Sequence, residues 1–222
     1  MIQNVLEQHG VAFLTAQRAH GVAAKENGVQ VSMEGGQVLD ADIFVVAAGV
    51  RSRTSFLEDS GVRIDGGVLV DSRMTTNIPN IWAAGDVASA KGFLTADHGV
   101  NPILPNAAEQ GKVAGSTIAG RDVEYEGWLP MNTLMFFGHR AVSVGKPLPS
   151  DGDEVLVTKD EARGTYKRLI FSGDALVGAA FLDTDGDAGA FQYLIRRRVN
   201  LRNHKALLMR DPRGGGRHMV RT

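Results

Sequence analysis

One stretch constrains this chain more than any other: Thr75-Thr76-Asn77-Ile78-Pro79-Asn80-Ile81-Trp82-Ala83-Ala84-Gly85-Asp86-Val87-Ala88. Asn77-Ile78-Pro79-Asn80 has turn chemistry, and the apolar run Ile81 to Ala84 after it predicts a short buried strand, parallel to its neighbours. That strand would end at Gly85-Asp86. Glycine there lets a ligand approach the backbone, and the carboxylate that follows can accept hydrogen bonds from hydroxyls. Ligands of open α/β sheets sit beyond the carboxyl ends of strands. Asp86 is therefore expected where a ribose or polyol chain would lie.

A second block lies downstream, Pro102-Ile103-Leu104-Pro105-Asn106-Ala107-Ala108-Glu109-Gln110-Gly111-Lys112-Val113-Ala114-Gly115. Asn106 has the chemistry of a helix N-cap, and Glu109 stands three residues on, as in a capping box. The helix would run through small residues to about Gly120 and pack closely on a sheet or a ligand. Its free N–H groups would carry a partial positive charge outward and favour an anion.

The rest of the chain reads in order. Ile2, Val5, Leu6 and His9 share one helical face, closed by Gly10. Val11 to Leu14 reads as a strand. Gly21 to Glu26 and Val29 to Met33 flank Asn27-Gly28, a strong hairpin signal. Ile43 to Gly49 is a continuous apolar run suited to a strand buried on both faces. Lys91 to Pro102 reads as a loop. From Tyr125 the composition shifts, and Gly127-Trp128-Leu129-Pro130 marks a boundary. Thr133 to Phe137, Ala141 to Val144, Glu154 to Thr158, Thr165 to Phe171 and Ala175 to Leu182 then read as antiparallel strands. Asp187 to Arg198 reads as a helix with Ala188, Phe191, Leu194, Ile195 and Val199 on one stripe. Arg196-Arg197-Arg198 is expected to be a solvated face, and the Gly- and Arg-rich segment 210–222 a disordered tail.

Composition sets limits. The net charge of −1 gives no electrostatic case for nucleic acid or an anionic membrane. The chain has no cysteine, which excludes a disulfide framework, a thiolate metal site and a redox-active thiol within it. Its six histidines form no metal-ligand spacing. His98 is expected to be an exposed loop residue, and no residue is assigned a catalytic role. Asp183, Asp185 and Asp187 lack the distal glutamate of a calcium loop, so no metal is expected. No apolar run approaches the roughly 18 residues of a membrane span. With no signal-peptide pattern, the cytoplasm is the expected compartment.

The T-x-x-x-x-I-x-A-x-G-D pattern at Thr76 to Asp86 resembles the second flavin-binding motif of the FAD-dependent pyridine nucleotide-disulfide oxidoreductases. The nearest look is to the NADH oxidase, CoA-disulfide reductase and nitrite reductase flavoprotein group. The resemblance runs from about Val5 to about Val199. It implies an α/β fold: residues 1–70 as the C-terminal part of a NAD(P)-binding domain, 71–124 as the closing segment of a FAD-binding domain, and 125–209 as an α+β interface domain that dimerises in relatives. It also implies cofactor contacts. Asp86 would meet the ribityl hydroxyls and Gly85 would permit close approach. The helix from Asn106 would face the flavin pyrimidine, with Leu104 and Pro105 lining it. Gly49-Val50-Arg51-Ser52-Arg53 stands where the family has a G-x-R-P-N-like segment; Gly49 and Arg51 match, Ser52 and Arg53 depart. Gly49 is thus either near a nicotinamide or simply a glycine that ends a strand.

Both G-x-G-x-x-G fingerprints that cradle pyrophosphates in such folds are missing. The chain resembles only the C-terminal half of a full-length member. Three readings stay open: a portion of a FAD-dependent NAD(P)H oxidoreductase, inactive alone; a subunit that completes a flavin site with a separately encoded N-terminal half; and a non-catalytic dimerisation or interaction module. A homodimer or that N-terminal half is the expected partner.

Overall fold

The amphipathic face of the first ten residues forms helix α1, Ile2–Gln8. It closes as the sequence predicts: Gly10 N–H donates to Glu7 O (3.0 Å) and Val11 N–H to Leu6 O (3.1 Å), with Gly10 at φ +82°. The structure, a computed structural model, describes residues 1–95 and 97–221, without the side chains of Val220 and Arg221. It divides into two units, Met1–Val50 and Arg51–Thr222.

In the first unit, β1 (Ala19–Lys25), β2 (Gly28–Met33) and β3 (Val38–Ala41) form an antiparallel sheet in that order. The hairpin tip sits one residue earlier than expected, at Glu26-Asn27, because Lys25 pairs with Gly28. Two expected strands do not form. Val11 to Leu14 is irregular and exposed. Ile43 to Gly49 is also irregular, and Ile43, Val45 and Val46 are about three-quarters exposed at 77%, 76% and 74%. A strand buried on both faces needs a neighbour on each edge to take its backbone N–H and C=O groups. No described strand of this unit pairs with it, and β3 already ends at Ala41.

The second unit begins with a small mixed sheet. β4 (Val68–Leu69) lies parallel to β5 (Ala88–Lys91), and β5 pairs antiparallel with β6 (His98–Gly99). The strand expected over Ile81 to Ala84 is not there. Trp82 makes an isolated bridge to Thr75, Ala83 N–H donates to Met74 O (3.1 Å), and Ile81 is 38% exposed. Ala84 is extended, but among the described residues the run has no ladder beyond the Thr75 bridge, and at Gly85, φ +80°, it passes into a 3-10 turn, Gly85–Val87. The chain enters the sheet only after Asp86. Helix α2, Leu104–Ile118, packs Val113 and Ala114 into the same cluster as Val68, Met74 and Ala88.

The C-terminal part follows the sequence closely. β7 (Met131–Phe136), β8 (His139–Gly145), β9 (Glu154–Asp160), β10 (Thr165–Ser172) and β11 (Ala175–Leu182) form one antiparallel sheet in the order β7-β8-β11-β10-β9. Gly145 faces Gly178 across β8 and β11, and a Cβ on Gly145 would stand 2.4 Å from Val177 O, so only glycine admits this approach. Helix α3, Ala188–Arg196, covers the sheet. Its cap is Asp187, whose side chain accepts from Gly189 and Ala190 N–H. Phe191, Leu194 and Ile195 are at most 1% exposed. Each such side chain contributes about 1.5–3 kcal/mol by leaving water. Phe191 meets Phe181 at 4.8 Å between ring centres.

Helices α4 (Lys205–Arg210) and α5 (Pro212–Arg221) complete the unit. The tail is thus helical where composition predicts disorder. Gly216 of α5 lies against α3, where a Cβ would stand 3.4 Å from Ala190 and 3.6 Å from Phe191.

Candidate functional site

The two blocks singled out in the sequence meet. Gly85 N–H donates to Gln110 Oε1 of α2 at 2.7 Å. A Cβ on Gly85 would lie 3.5 Å from Ala107 Cβ, so the turn rests directly on the first turns of α2. Asp86 follows, exposed, with its carbonyl accepting from Ser52 Oγ at 2.6 Å. Leu104 is 83% exposed and Pro105 is exposed beside it. A turn that carries an exposed carboxylate therefore rests on the first turns of α2.

The start of α2 differs from the expected one. The N-cap is Ile103, with proline in the first turn and no side-chain cap. Pro105 fits there because the first-turn N–H groups have no helical partner to lose. Asn106 is inside the helix, buried, and its side chain is used internally: Nδ2 donates to Asn101 O (2.8 Å) and Oδ1 accepts from the Tyr125 hydroxyl. Asn106 is thus neither the cap nor an exposed ligand group. Among the described residues no side chain caps this helix.

Behind this surface lies a polar layer that the sequence reading missed. Gln110 is fully buried and Tyr125 is 6% exposed. Burial, first, pushes the Tyr125 hydroxyl up to about 12, and the Glu109 charge adds to it. The Gln110 amide stands near enough to that hydroxyl to oppose the rise, without a hydrogen bond of good geometry joining them. Glu109 is also raised, by burial most of all, against the pull of Arg196. Arg196 reaches from α3 to Glu109 (3.0 Å) and Glu126 (3.4 Å) and lies over the Phe93 ring. Its side chain is only 14% exposed, so it is not part of a solvated face. A signal for this layer was available. Asn106, Gln110, Val113 and Ala114 form one stripe at helical spacing, and two polar members of an apolar stripe mark a buried network.

Asp86, Gly85, Leu104, Pro105 and α2 lie in the second unit; Gly49 belongs to the first, exposed at φ +94°. His98 is exposed, as expected, but it stands in strand β6, paired with Lys91, and not in a loop over Lys91 to Pro102. Among the described residues, no group of three His, Asp or Glu side chains could hold a metal, and no helix is long and apolar enough to cross a membrane.

Comparison with known proteins places this geometry. The profile of the pyridine nucleotide-disulphide oxidoreductases matches residues 1–111, and that of the rubredoxin NAD+ reductase C-terminal domain matches 130–199. The NADH-dependent phenylglyoxylate dehydrogenase subunit epsilon of Aromatoleum evansii is 36% identical over 99% of this chain, which spans 53% of that protein. The assimilatory nitrate reductase electron transfer subunit of Bacillus subtilis is 30% identical over 89% of this chain, which spans 25% of it. The chain thus spans about half or less of the length of these relatives. In structure, it resembles a NAD-dependent persulfide reductase from A. fulgidus (TM-score 0.79, 20% identity, 91% of this chain and 41% of that one). It also resembles a FAD-dependent pyridine nucleotide-disulphide oxidoreductase from Desulfovibrio vulgaris (TM-score 0.78, 23% identity, all of this chain and 59% of that one). Profile match and sequence identity together make this chain a member of the pyridine nucleotide-disulphide oxidoreductase family.

Proposed function

We propose that this chain is the C-terminal portion of a FAD-dependent NAD(P)H oxidoreductase and works only together with a portion that cradles the dinucleotides. The observation that carries the reading is the seating of the Gly85-Asp86 turn on α2 through Gly85 N–H and Gln110. Asp86 has the exposure and chemistry to accept hydrogen bonds from the ribityl hydroxyls. The uncapped N-terminus of α2 favours negative charge at the ring's pyrimidine end, with Leu104 and Pro105 as its apolar lining. Asn106 acts through its internal bonds, holding the first turn of α2 in place. Bound FAD would supply hydride acceptance from NAD(P)H and electron delivery to an acceptor; the protein supplies orientation and electrostatics.

In this reading residues 1–70 belong to the NAD(P)-binding domain, with Gly49 on its nicotinamide side. Residues 71–124 close the FAD domain, and 125–209 form an interface domain that supports a homodimer. The compartment is the cytoplasm. No described segment has the Gly-rich form that holds a pyrophosphate, so the chain alone is inactive. A second reading, a non-catalytic subunit that completes a partner's flavin site, is favoured by the names of two relatives, which are themselves subunits.

Asp86→Ala tests the assignment. Loss of hydrogen bonds to a carboxylate should weaken FAD retention in the flavin-holding assembly by about 10- to 100-fold, with the far-UV spectrum unchanged. Unchanged retention would remove Asp86 from the site.

A further inference from the structure

Gln110 stands out among the residues that no function above absorbs. It occupies a position in the buried stripe of α2 that packing alone would give to leucine or methionine, and it is 0% exposed. Burying a carboxamide is costly unless its polar atoms are used. Its Oε1 is used, on Gly85 N–H at 2.7 Å. That N–H belongs to the positive-φ residue that turns the chain into Asp86. One helical turn earlier, Asn106 ties the same face of α2 to Asn101 and Tyr125.

We propose that Gln110 is a positioning residue: its carbonyl fixes the Gly85-Asp86 turn to α2, so that the carboxylate and the helix N-terminus keep one relative geometry. The functional consequence rests on the flavin reading above; the positioning itself does not. Without this bond the turn is held to α2 by packing, such as that of Gly85 on Ala107. Contact of that kind permits sliding, whereas a hydrogen bond from a peptide N–H sets both distance and direction.

The test compares two variants of the full chain, read by amide hydrogen exchange at Gly85, with Leu169 in β10 as the internal standard. Gln110→Met conserves volume and removes the acceptor. Gln110→Glu keeps an acceptor and puts a carboxyl group in a buried place beside Glu109. Positioning predicts that the Met variant exchanges Gly85 at least about tenfold faster while the Glu variant keeps its protection. A packing role predicts the reverse order, since Met fills the space and a buried carboxylate disrupts it. Unchanged Gly85 exchange in the Met variant overturns the proposal, and that result needs no other variant to fold. In a protein joined to a dinucleotide-cradling portion, FAD retention should fall in the Met variant and be restored in the Glu variant. A joined wild type that holds no FAD would sink the flavin reading, while the order of Gly85 exchange still decides the positioning role.

Discussion

Strand β11 and the segment Ile43–Val50 are both wholly apolar, yet they end in opposite states. Every strand from β7 to β11 finds its neighbours inside the second unit, three of the four pairings through hairpins between consecutive strands. Local pairing is cheap in chain entropy, and α3 then closes the face with Phe191, Leu194 and Ile195. Ile43 to Gly49 is the kind of strand that needs parallel neighbours on both edges, which only long crossovers supply. Finding none, it stays irregular, with Val46 74% exposed. Apolar composition says that a segment seeks burial; topology decides whether it gets it.

Three predictions sharpen the contrast. The largest effect belongs to the sheet: Phe191→Ala, at a site with 0% exposure, should cost about 3–5 kcal/mol in denaturant unfolding of the second unit. A loss under about 1 kcal/mol would mean that α3 does not close that core. Next comes the layer behind Gly85. Tyr125 ionises at about 12 when folded against 10.0 when free, burial being the main cause. Its folded value is raised, so its contribution is complete below pH 10 and is lost as pH climbs through that interval. The loss, about 2–3 kcal/mol, should vanish in Tyr125→Phe when stability is followed from pH 9 to about 12. The smallest effect belongs to the exposed segment. Val45→Asp should change stability by no more than about 0.5 kcal/mol, the range of ordinary surface positions. A loss above about 2 kcal/mol would show that a second molecule or another part of the protein covers Val45.

The legible part of the fold was the locally determined part. β9, β10 and β11 and the stripe of α3 read directly from alternation and helical spacing. Asp187, read as the first residue of that helix, is its N-cap. What failed depended on distant partners. Ile81 to Ala84 has the apolar signature of a strand, but β4 pairs with Ala88 and Ser89 instead. The candidate site was half legible. The Gly85-Asp86 turn and α2 were both visible as blocks; that the one seats on the other through Gln110 and Ala107 was not. Asn106 misled because capping chemistry looks the same whether an asparagine ends a helix or is buried inside it. Gln110, Tyr125 and Arg196 were not found, because their roles arise from one another across α2 and α3.

The most direct test of the account is a visible absorption spectrum, with intact mass, of this chain alone and of the chain joined to the dinucleotide-cradling half of a relative. The account predicts that the chain alone carries little flavin and that the joined protein carries it in near-stoichiometric amount, through Asp86 and the start of α2. A joined protein that folds and remains colourless, or an Asp86→Ala form that keeps full colour, would contradict it.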